Sequence, residues 1–284
     1  MTTIGVQAMM LKEEFAEHGP FETLRRVRGI GYRAVEVSQI PMTPGNVAEL
    51  RRAHDELGMD IAALSASLTA RPGGESLTDD FDKIVADTKR LDASMIRIGM
   101  LPLEAMASFP ALLDFCDRTD EAARRLADHG IGLSYHHHHV EFAKHDGRYL
   151  LDVIADRAPD VGLEIDVHWV QRGGLDPVAT LRRYGHRVAM VHLKDYRIGA
   201  LPEEAAAALA AGNSAAFQAA FTGVVQFAEV GEGNLDFASI VPVSREIGAA
   251  YLLVEQDERY GRSPLDCLTT SYDHLVALGF GDLF

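Results

Sequence analysis

The sequence predicts a single α/β domain, a barrel of eight parallel strands that alternate with helices. The first observation is a set of short apolar or β-branched runs, each leading into a helix-like segment. These runs are Ile4–Met9, Arg33–Val37, Asp60–Ala66, Ser94–Ile98, Ile131–His136, Val161–Asp166, Val188–His192 and Tyr251–Glu255. Most begin roughly 30 residues apart, the length of one strand–helix–strand step. The second observation is the length of 284 residues, which suits one such barrel. Together they predict a (β/α)8 barrel.

Helix signals lie between these runs, where a barrel places its helices. The segment Val47–Leu57 has helical character and is closed by Gly58. A long helix over Ala111–His129 should end at Gly130, directly before the fifth run. Asp176 is followed by proline, a pair typical of a helix start. These signals agree with the alternation that the barrel requires.

The gap before the eighth run is longer than a plain connection between a strand and a helix. It contains an alanine-rich segment, Leu201–Gly212, and then Asn213–Phe227 with three phenylalanines. We predict a helical insertion near residues 197–229. Because it follows the carboxyl end of a strand, where barrel enzymes build their sites, it could serve as a lid. A subunit contact or an ordinary surface helix is the alternative.

The composition excludes several classes of protein. A formal charge of −15 disfavours a nucleic-acid partner, because such binding depends on Lys and Arg at phosphates. The sequence has no apolar stretch of about 18 residues or more and no secretory signal. Cys116 and Cys267 lie far apart and outside any C-x-x-C pair, so we expect neither disulfides nor thiolate zinc. We therefore expect a cytoplasmic protein with a small-molecule partner, no membrane partner, and a homo-oligomer as an open alternative.

The stretch I-G-L-S-Y-H-H-H-H-V-E-F, residues 131–142, is the most unusual part of the sequence. Its apolar alternation predicts a half-buried strand, so His136 and His138 should share one face and the other two histidines the opposite face. Glu141 follows where the strand should end, and its carboxylate could bind a cation or act as a base. A purification tag would not lie in mid-chain after an apolar strand. A solvated polar turn is the remaining alternative.

Four polar residues are predicted at the carboxyl ends of the last four strands. They are Glu141, Asp166, His192 and Glu255. Because a barrel brings neighbouring strand ends together, these side chains should converge. Three carboxylates and one imidazole suit Mn²⁺, Co²⁺, Mg²⁺ or Fe²⁺ better than a metal that prefers thiolates. The alternative is a structural cluster of ion pairs and hydrogen bonds.

The sixth run, L-E-I-D-V-H-W, places several polar side chains in line. Glu164, Asp166 and His168 should share one strand face, which points charge at the barrel interior unless a cation or partner receives it. Trp169 either packs in the core or forms a wall against the C–H face of a sugar. We treat His168 and Trp169 as candidate substrate contacts.

Two further candidates lie next to the predicted ligands. Lys194 either contacts substrate or pairs with Asp195 at the surface. His138, with His136 behind it, is predicted to belong to the pocket, where a neutral imidazole can hold a substrate hydroxyl or move a proton.

Several phrases resemble one known family. They are G-V-Q, S-Y-H-H-H-H-V-E-F, L-E-I-D-V-H-W-V, V-H-L-K-D-Y, V-G-E-G-N-L-D and V-E-Q-D. They resemble the sugar phosphate isomerase/epimerase family, the xylose-isomerase-like TIM barrels, over about residues 3–278. The resemblance implies one divalent metal ion, Mn²⁺ before Co²⁺, Mg²⁺, Fe²⁺ or Zn²⁺, held by the four strand-end residues. His137 stands where these relatives usually have Asn, and His168 where they have Tyr.

The resemblance also implies chemistry on a sugar, keto-sugar or cyclitol. A metal ion that chelates a carbonyl and an adjacent hydroxyl stabilises the enediolate formed when the α-proton leaves. We expect Glu141 and Glu255, flanking the ion, to exchange that proton, with His138 assisting. Return of the proton gives isomerisation or epimerisation, the leading hypothesis.

Three other functions are compatible with the same motifs to different degrees. Expulsion of a β-substituent would make the protein a keto-sugar lyase or dehydratase, similar to inosose dehydratases or 3-keto-glycoside-cleaving relatives. A sugar-binding or partner subunit is the non-enzyme alternative. A DNA-cleaving barrel of the endonuclease IV type is disfavoured, because it needs more ligands and a basic face.

Overall fold

The computed structural model describes residues 2–70 and 74–284, and eight of its strands form one closed parallel barrel. In chain order, these first to eighth barrel strands are Thr3–Gln7, Ala34–Val37, Asp60–Ser65, Met95–Ile98, Gly132–His136, Gly162–Asp166, Val188–Leu193 and Tyr251–Val254. Each strand pairs with its sequence neighbours, and the first pairs with the eighth, from Thr3 beside Tyr251 to Val6 beside Val254. The predicted (β/α)8 barrel is therefore confirmed.

Helices separate the strands as the sequence predicts. The α-helices are Lys12–Ile30, Pro44–Leu57, Phe81–Arg90, Leu103–Met106, Phe109–Ala127, Leu150–Arg157, Val167–Arg172, Pro177–Tyr184, Glu203–Ala210, Ser214–Thr222, Phe237–Glu246 and Pro264–Ala277. Short 3₁₀ turns occupy Ala8–Leu11, Val140–Phe142, Gly185–Arg187 and Gly281–Leu283. Asp176 accepts the backbone N–H of Ala179 and so caps the helix Pro177–Tyr184. Gly58, with a φ of 64°, ends the helix Pro44–Leu57. Across the described residues, no helix is long and apolar enough to span a bilayer.

The barrel interior is divided into an apolar part and a polar part. Ala63, Met190 and Leu253 are buried together in a small apolar cluster. Two residues further along their strands, on the same face, stand His192 and Glu255, both buried. The apolar cluster therefore fills the interior towards the amino ends of the strands, and the polar groups lie towards the carboxyl ends.

The predicted insertion near 197–229 is a helical hairpin carried on a two-stranded ribbon. The ribbon strands Asp195–Ile198 and Val225–Ala228 run antiparallel, and the two helices between them pack on each other. Leu209 is 51% exposed and Phe221 is 56% exposed. These exposed apolar side chains are compatible with a lid and with a subunit contact, so both roles stay predictions for this segment.

Asp195 fixes the base of this ribbon. Its carboxylate accepts the backbone N–H groups of Gly231, Gly233, Asn234 and Leu235, each at 3.1 Å. The loop that follows the ribbon is thereby tied to the end of the seventh barrel strand.

The first and second strands approach so closely that only glycine fits at position 5. A Cβ atom there would lie 2.5 Å from the carbonyl oxygen of Ala34. We expect Gly5→Ala to lower the free energy of unfolding by about 1–3 kcal/mol, because the strands must move apart. In Gly29→Ala the new Cβ meets nothing within 4 Å, and helix propensity should raise stability by about 0.5–1 kcal/mol. Denaturant unfolding of both variants checks this, and equal effects would contradict it.

Candidate metal centre

Four buried side chains converge at the carboxyl end of the barrel, from the fifth to the eighth strands. They are His136, Asp166, His192 and Glu255, and one donor atom from each lies within 4.8 Å of all the others. His136 Nε2 is 3.4 Å from Asp166 Oδ2, and His192 Nδ1 is 2.8 Å from Glu255 Oε2. Ligands held about 2.1 Å from one ion lie about 3.0–3.4 Å apart when they are neighbours in its coordination shell. The cluster therefore has the dimensions of a single metal site.

Two atoms of this cluster lack a hydrogen-bond partner. His136 Nε2 and Asp166 Oδ2 are both fully buried, and neither makes a hydrogen bond with any of the described residues. Burying a polar atom without a partner is costly, so such atoms call for an explanation. A divalent ion between the two would satisfy both. The residues present thus fit a metal ion.

The remaining atoms of these two side chains are held by their surroundings. His136 Nδ1 lies 3.2 Å from the carbonyl oxygen of Gly99, so it acts as the donor there and leaves Nε2 as an acceptor. Asp166 Oδ1 accepts the backbone N–H of Trp169 at 3.1 Å and so caps the helix Val167–Arg172. Each side chain is therefore oriented by one atom and presents the other to the cluster.

His192 is held between two groups of carboxylates. Its Nε2 lies 3.0 Å from Glu36 Oε2 and 3.1 Å from Glu164 Oε1, on the side away from Glu255. Burial alone would lower the pKa of His192, but the three carboxylates raise it well above its ordinary value. Donation of Nε2–H to Glu36 and Glu164 leaves Nδ1 as the atom for a metal ion.

The charges around the cluster do not balance. Four buried carboxylates, those of Glu36, Glu164, Asp166 and Glu255, belong to one network. The buried permanent cations of this network are Arg97 and Lys194. Burial, with a smaller contribution from a neighbouring carboxylate in each case, raises the pKa of Glu36 to about 7 and that of Asp166 to about 7. One divalent ion would reduce the excess of negative charge in this network.

Glu141 does not join the cluster, although it is predicted there. It lies in the 3₁₀ turn after the fifth strand, where its Oε1 accepts the hydroxyl of Tyr135 at 2.5 Å. Its Oε2 accepts the backbone N–H of His138 at 2.9 Å, and burial raises the pKa of the carboxyl. Both oxygens are thus committed to the turn. His136 occupies the fourth position of the cluster, and a metal-ligand role for Glu141 stays a prediction.

Lys194 faces the cluster and not its neighbour in sequence. Its ammonium lies 3.1 Å from Glu255 Oε2, 2.7 Å from Asp257 Oδ1 and 3.7 Å from Asp166 Oδ2. Asp195 is occupied by the ribbon. The alternative of a surface pair between Lys194 and Asp195 is therefore wrong. Lys194 is buried beside the cluster, where a small molecule bound at the cluster would contact its ammonium group.

An aromatic wall stands beside Lys194. The sixth strand ends at Asp166, so His168 lies in the following helix, and the prediction that it shares the strand face is wrong. Its ring stacks on Phe227 of the ribbon at 4.9 Å and lies 4.6 Å from Trp169. The Lys194 ammonium is 5.1 Å from the Trp169 ring centre. Within the part of the chain that the structure describes, the buried indole nitrogen of Trp169 makes no hydrogen bond.

A cavity of about 990 Å³ opens next to the cluster. The described residues that line it include His138, Lys194, Glu255 and Asp257, with the ends of the first four strands on the other side. His138 Nδ1 is buried and has no hydrogen-bond partner among the residues that the structure describes. The cavity thus gives a small molecule access to the cluster through a rim of titratable side chains.

Sequence reasoning missed the groups beneath the cluster. Glu36 and Arg97 are buried in the barrel and connected to His192 through carboxylates. The signal was a charged residue within an apolar strand, in A-V-E-V and in M-I-R-I, because such a charge needs a buried partner. Gln7 was also missed, and it donates to Glu255 Oε1 at 3.0 Å.

We expect purified protein to hold one divalent ion and Asp166→Asn to lose it, because the amide cannot replace the charged oxygen. Glu141→Gln should retain the ion, since its carboxylate faces the turn. Metal analysis after dialysis against limiting chelator checks this. Loss of the ion in Glu141→Gln, with retention in Asp166→Asn, would contradict the arrangement.

Comparisons with known proteins agree with this fold. Residues 24–271 match the model of the family described as xylose isomerase-like TIM barrel. The rhizopine catabolism protein MocC of Rhizobium meliloti is 32% identical over 162 residues, 56% of this chain and 47% of that protein. The match therefore spans about half the length of that curated relative.

Solved structures share the architecture at low sequence identity. A sugar phosphate isomerase/epimerase from Parabacteroides distasonis has a TM-score of 0.72 and 19% identity, covering 98% of this chain and 95% of that one. The probable 3-DHS dehydratase AsbF from Bacillus anthracis has a TM-score of 0.65 and 14% identity, over 97% and 99%. The IolI protein with a binding zinc atom has a TM-score of 0.65 and 13% identity, over 99% of each chain. The match over most of the sequence confirms the resemblance carried by the motifs: this chain belongs to the xylose isomerase-like TIM barrel family.

Proposed function

We propose that this protein is a divalent-metal-dependent sugar isomerase or epimerase that acts on a sugar or keto-sugar through an enediolate. The observation that carries the proposal is the buried four-donor cluster, with unpartnered atoms on His136 and Asp166, at the mouth of a cavity. It lies at the carboxyl ends of the strands, the face on which barrel enzymes perform catalysis. The isomerase/epimerase named among the similar structures supports the reaction class.

The ion would be held by His136, Asp166, His192 and Glu255. Two imidazole nitrogens and two carboxylate oxygens suit Mn²⁺, Zn²⁺, Co²⁺ or Fe²⁺ better than Mg²⁺, which prefers oxygen ligands and water. Mn²⁺ remains our first choice. When bound, such an ion polarises the substrate carbonyl and stabilises the negative charge of the enediolate.

We assign the proton transfer to side chains that have an atom able to accept or donate a proton. Glu141 and Glu255 were expected to act on the proton, but Glu141 is committed to its turn and Glu255 contacts Gln7, His192 and Lys194. His138 lines the cavity and its Nδ1 makes no hydrogen bond within the described residues, so we assign acceptance of the α-proton to this imidazole. The Lys194 ammonium, held by Asp257, can donate to a substrate oxygen as charge develops there.

The cavity favours a neutral substrate over a phosphorylated one. The cations among its described lining residues are Lys83, Arg97 and Lys194. Lys83 is paired with Glu75 and Asp87, and the other two are bound to buried carboxylates. Binding a phosphate would require breaking one of these ion pairs, in a chain of net charge −15.

A keto-sugar lyase or dehydratase is the second candidate. The dehydratase among the similar structures favours it, as does a curated relative named for catabolism. Both reactions begin with removal of the α-proton, so the same residues serve. The product separates them, because elimination alone releases water or an aglycone. A sugar-binding subunit is the non-enzyme candidate and would bind sugar without turnover.

We expect the metal-loaded protein to exchange the α-proton of at least one keto-sugar with solvent deuterium. Nuclear magnetic resonance of a substrate panel in D₂O measures the exchange and identifies the product at the same time. The Asp166→Asn variant serves as the control, since it should lack both metal and exchange. Binding of a sugar with no exchange in the metal-loaded protein would contradict an enzymatic role.

We expect His138→Ala to slow this exchange by roughly 100- to 10,000-fold, the usual contribution of a general base. Metal content should be unchanged, because His138 is not among the four donors. His145→Ala removes an exposed histidine from a hairpin outside the cavity lining and should leave the rate within a few-fold. An unchanged rate in His138→Ala at saturating metal would move the base to another residue.

A further inference from the structure

A second group of potential ligands lies directly beneath the first. Glu36, Glu164 and His192 each offer a donor atom within 4.8 Å of the others, and all three are buried. The two groups share the His192 imidazole. Glu36 Oε1 lies 3.0 Å from Arg97 Nε and Glu164 Oε1 lies 3.1 Å from His192 Nε2, so each of these buried oxygens faces a nitrogen of a basic side chain. The arrangement resembles the second half of a two-ion centre, in which two carboxylates face a cation.

A cation is already present at this position, and it is a side chain. Arg97 Nε lies 2.7 Å from Glu164 Oε2 and 3.0 Å from Glu36 Oε1. Arg97 Nη1 lies 3.2 Å from Ser38 Oγ and 3.3 Å from Ser65 Oγ. Two carboxylates and two hydroxyls therefore surround the guanidinium, a set of oxygen atoms that a hard divalent ion also accepts.

The backbone makes room for this guanidinium. A Cβ atom at position 99 would lie 2.6 Å from Arg97 Nη1, so glycine is required there while the arginine keeps its place. The same Gly99 carbonyl orients His136 of the first group. The space under the metal centre is thus fitted to an arginine.

We propose that Arg97 is a built-in cation that fills a second cation site and thereby limits this chain to one exchangeable metal ion. The inference rests on the proposed metal function for the first group. A guanidinium stays charged at any working pH and cannot dissociate, so it places one permanent positive charge between Glu36 and Glu164. It also acts as a positioning residue, because it fixes the two carboxylates that hold His192 Nε2.

Removal of the guanidinium should open the second site. Without Arg97, two carboxylates would remain buried with no permanent cation beside them, which is strongly unfavourable. In Arg97→Met, a second divalent ion bound by Glu36, Glu164 and the two serine hydroxyls would relieve this. We expect the bound Mn²⁺ to double, from one ion per chain in the parent protein to two. Arg97→Lys retains the positive charge and should restore one.

The test is equilibrium dialysis with Mn²⁺, followed by metal analysis and electron paramagnetic resonance. Two ions on opposite sides of the His192 ring lie close enough to broaden each other's six-line signal, a readout that a purely structural role would not produce. Arg187→Met is the matched control, because Arg187 binds the backbone carbonyls of Ala155, Ala158 and Val161, away from the cluster. It should bind one ion with an unbroadened signal.

Two coupled ions in the parent protein, or a single ion in folded Arg97→Met, would overturn the proposal. If Arg97→Met unfolds without metal, it is refolded in Mn²⁺. Recovery with two ions supports the proposal, and failure to recover folded protein contradicts it.

The double variant Arg97→Met with Asp166→Asn separates this inference from the proposed function. A parent protein with no ion and a double variant with one ion would contradict the proposed function and leave the inference standing.

Discussion

An excess of buried negative charge is the constraint on which the site depends. Isolated charges in a protein interior cost several kcal/mol each, so they persist only with partners. Two permanent cations, Arg97 and Lys194, face four buried carboxylates in the barrel, and Lys194 also pairs with Asp257. A divalent ion would reduce this excess of negative charge, and the atoms of His136 and Asp166 that make no hydrogen bond within the described residues mark where it fits. The charge balance and the buried atoms without hydrogen bonds therefore both indicate a divalent ion at this cluster.

The barrel geometry explains why these groups meet at all. The fifth and sixth strands end at His136 and Asp166, while His192 is the penultimate residue of the seventh and Glu255 directly follows the eighth. In a closed parallel barrel these ends converge at one rim, while Met190 and Leu253, two positions before His192 and Glu255, fill the interior. The apolar layer of these strands thus contributes to stability, and the polar layer at their carboxyl ends forms the candidate site. Asp166 joins the two by capping a helix with one oxygen and presenting the other.

The sequence was sufficient for the fold, because strand runs and helix boundaries are local properties. It also predicted the convergence of Asp166, His192 and Glu255, since each is a polar residue at the end of a strand. His136 meets the same criterion, but the carboxylate of Glu141 was preferred as a ligand. Only the structure shows that the chain turns after His136, so that Glu141 bonds back to Tyr135. That turn leaves no periodic signal in the sequence.

The network beneath the cluster was beyond sequence reasoning for a related reason. A charged residue inside an apolar strand indicates that a partner exists, but not which one. Arg97 in the fourth strand pairs with Glu164 in the sixth strand. His192 pairs with Glu36, which lies 156 residues earlier in the chain. Such pairs depend on how strands face one another across the barrel, which requires the closed structure.

The central claim is that one divalent ion completes this buried network. Anomalous diffraction at the manganese edge, from crystals grown with Mn²⁺, tests it most directly. The account predicts one anomalous peak about 2.0–2.4 Å from His136 Nε2, Asp166 Oδ2, His192 Nδ1 and Glu255 Oε2, with the Arg97 guanidinium still between Glu36 and Glu164. A barrel interior without a peak, or a peak bound by Glu141 and not by His136, would contradict it.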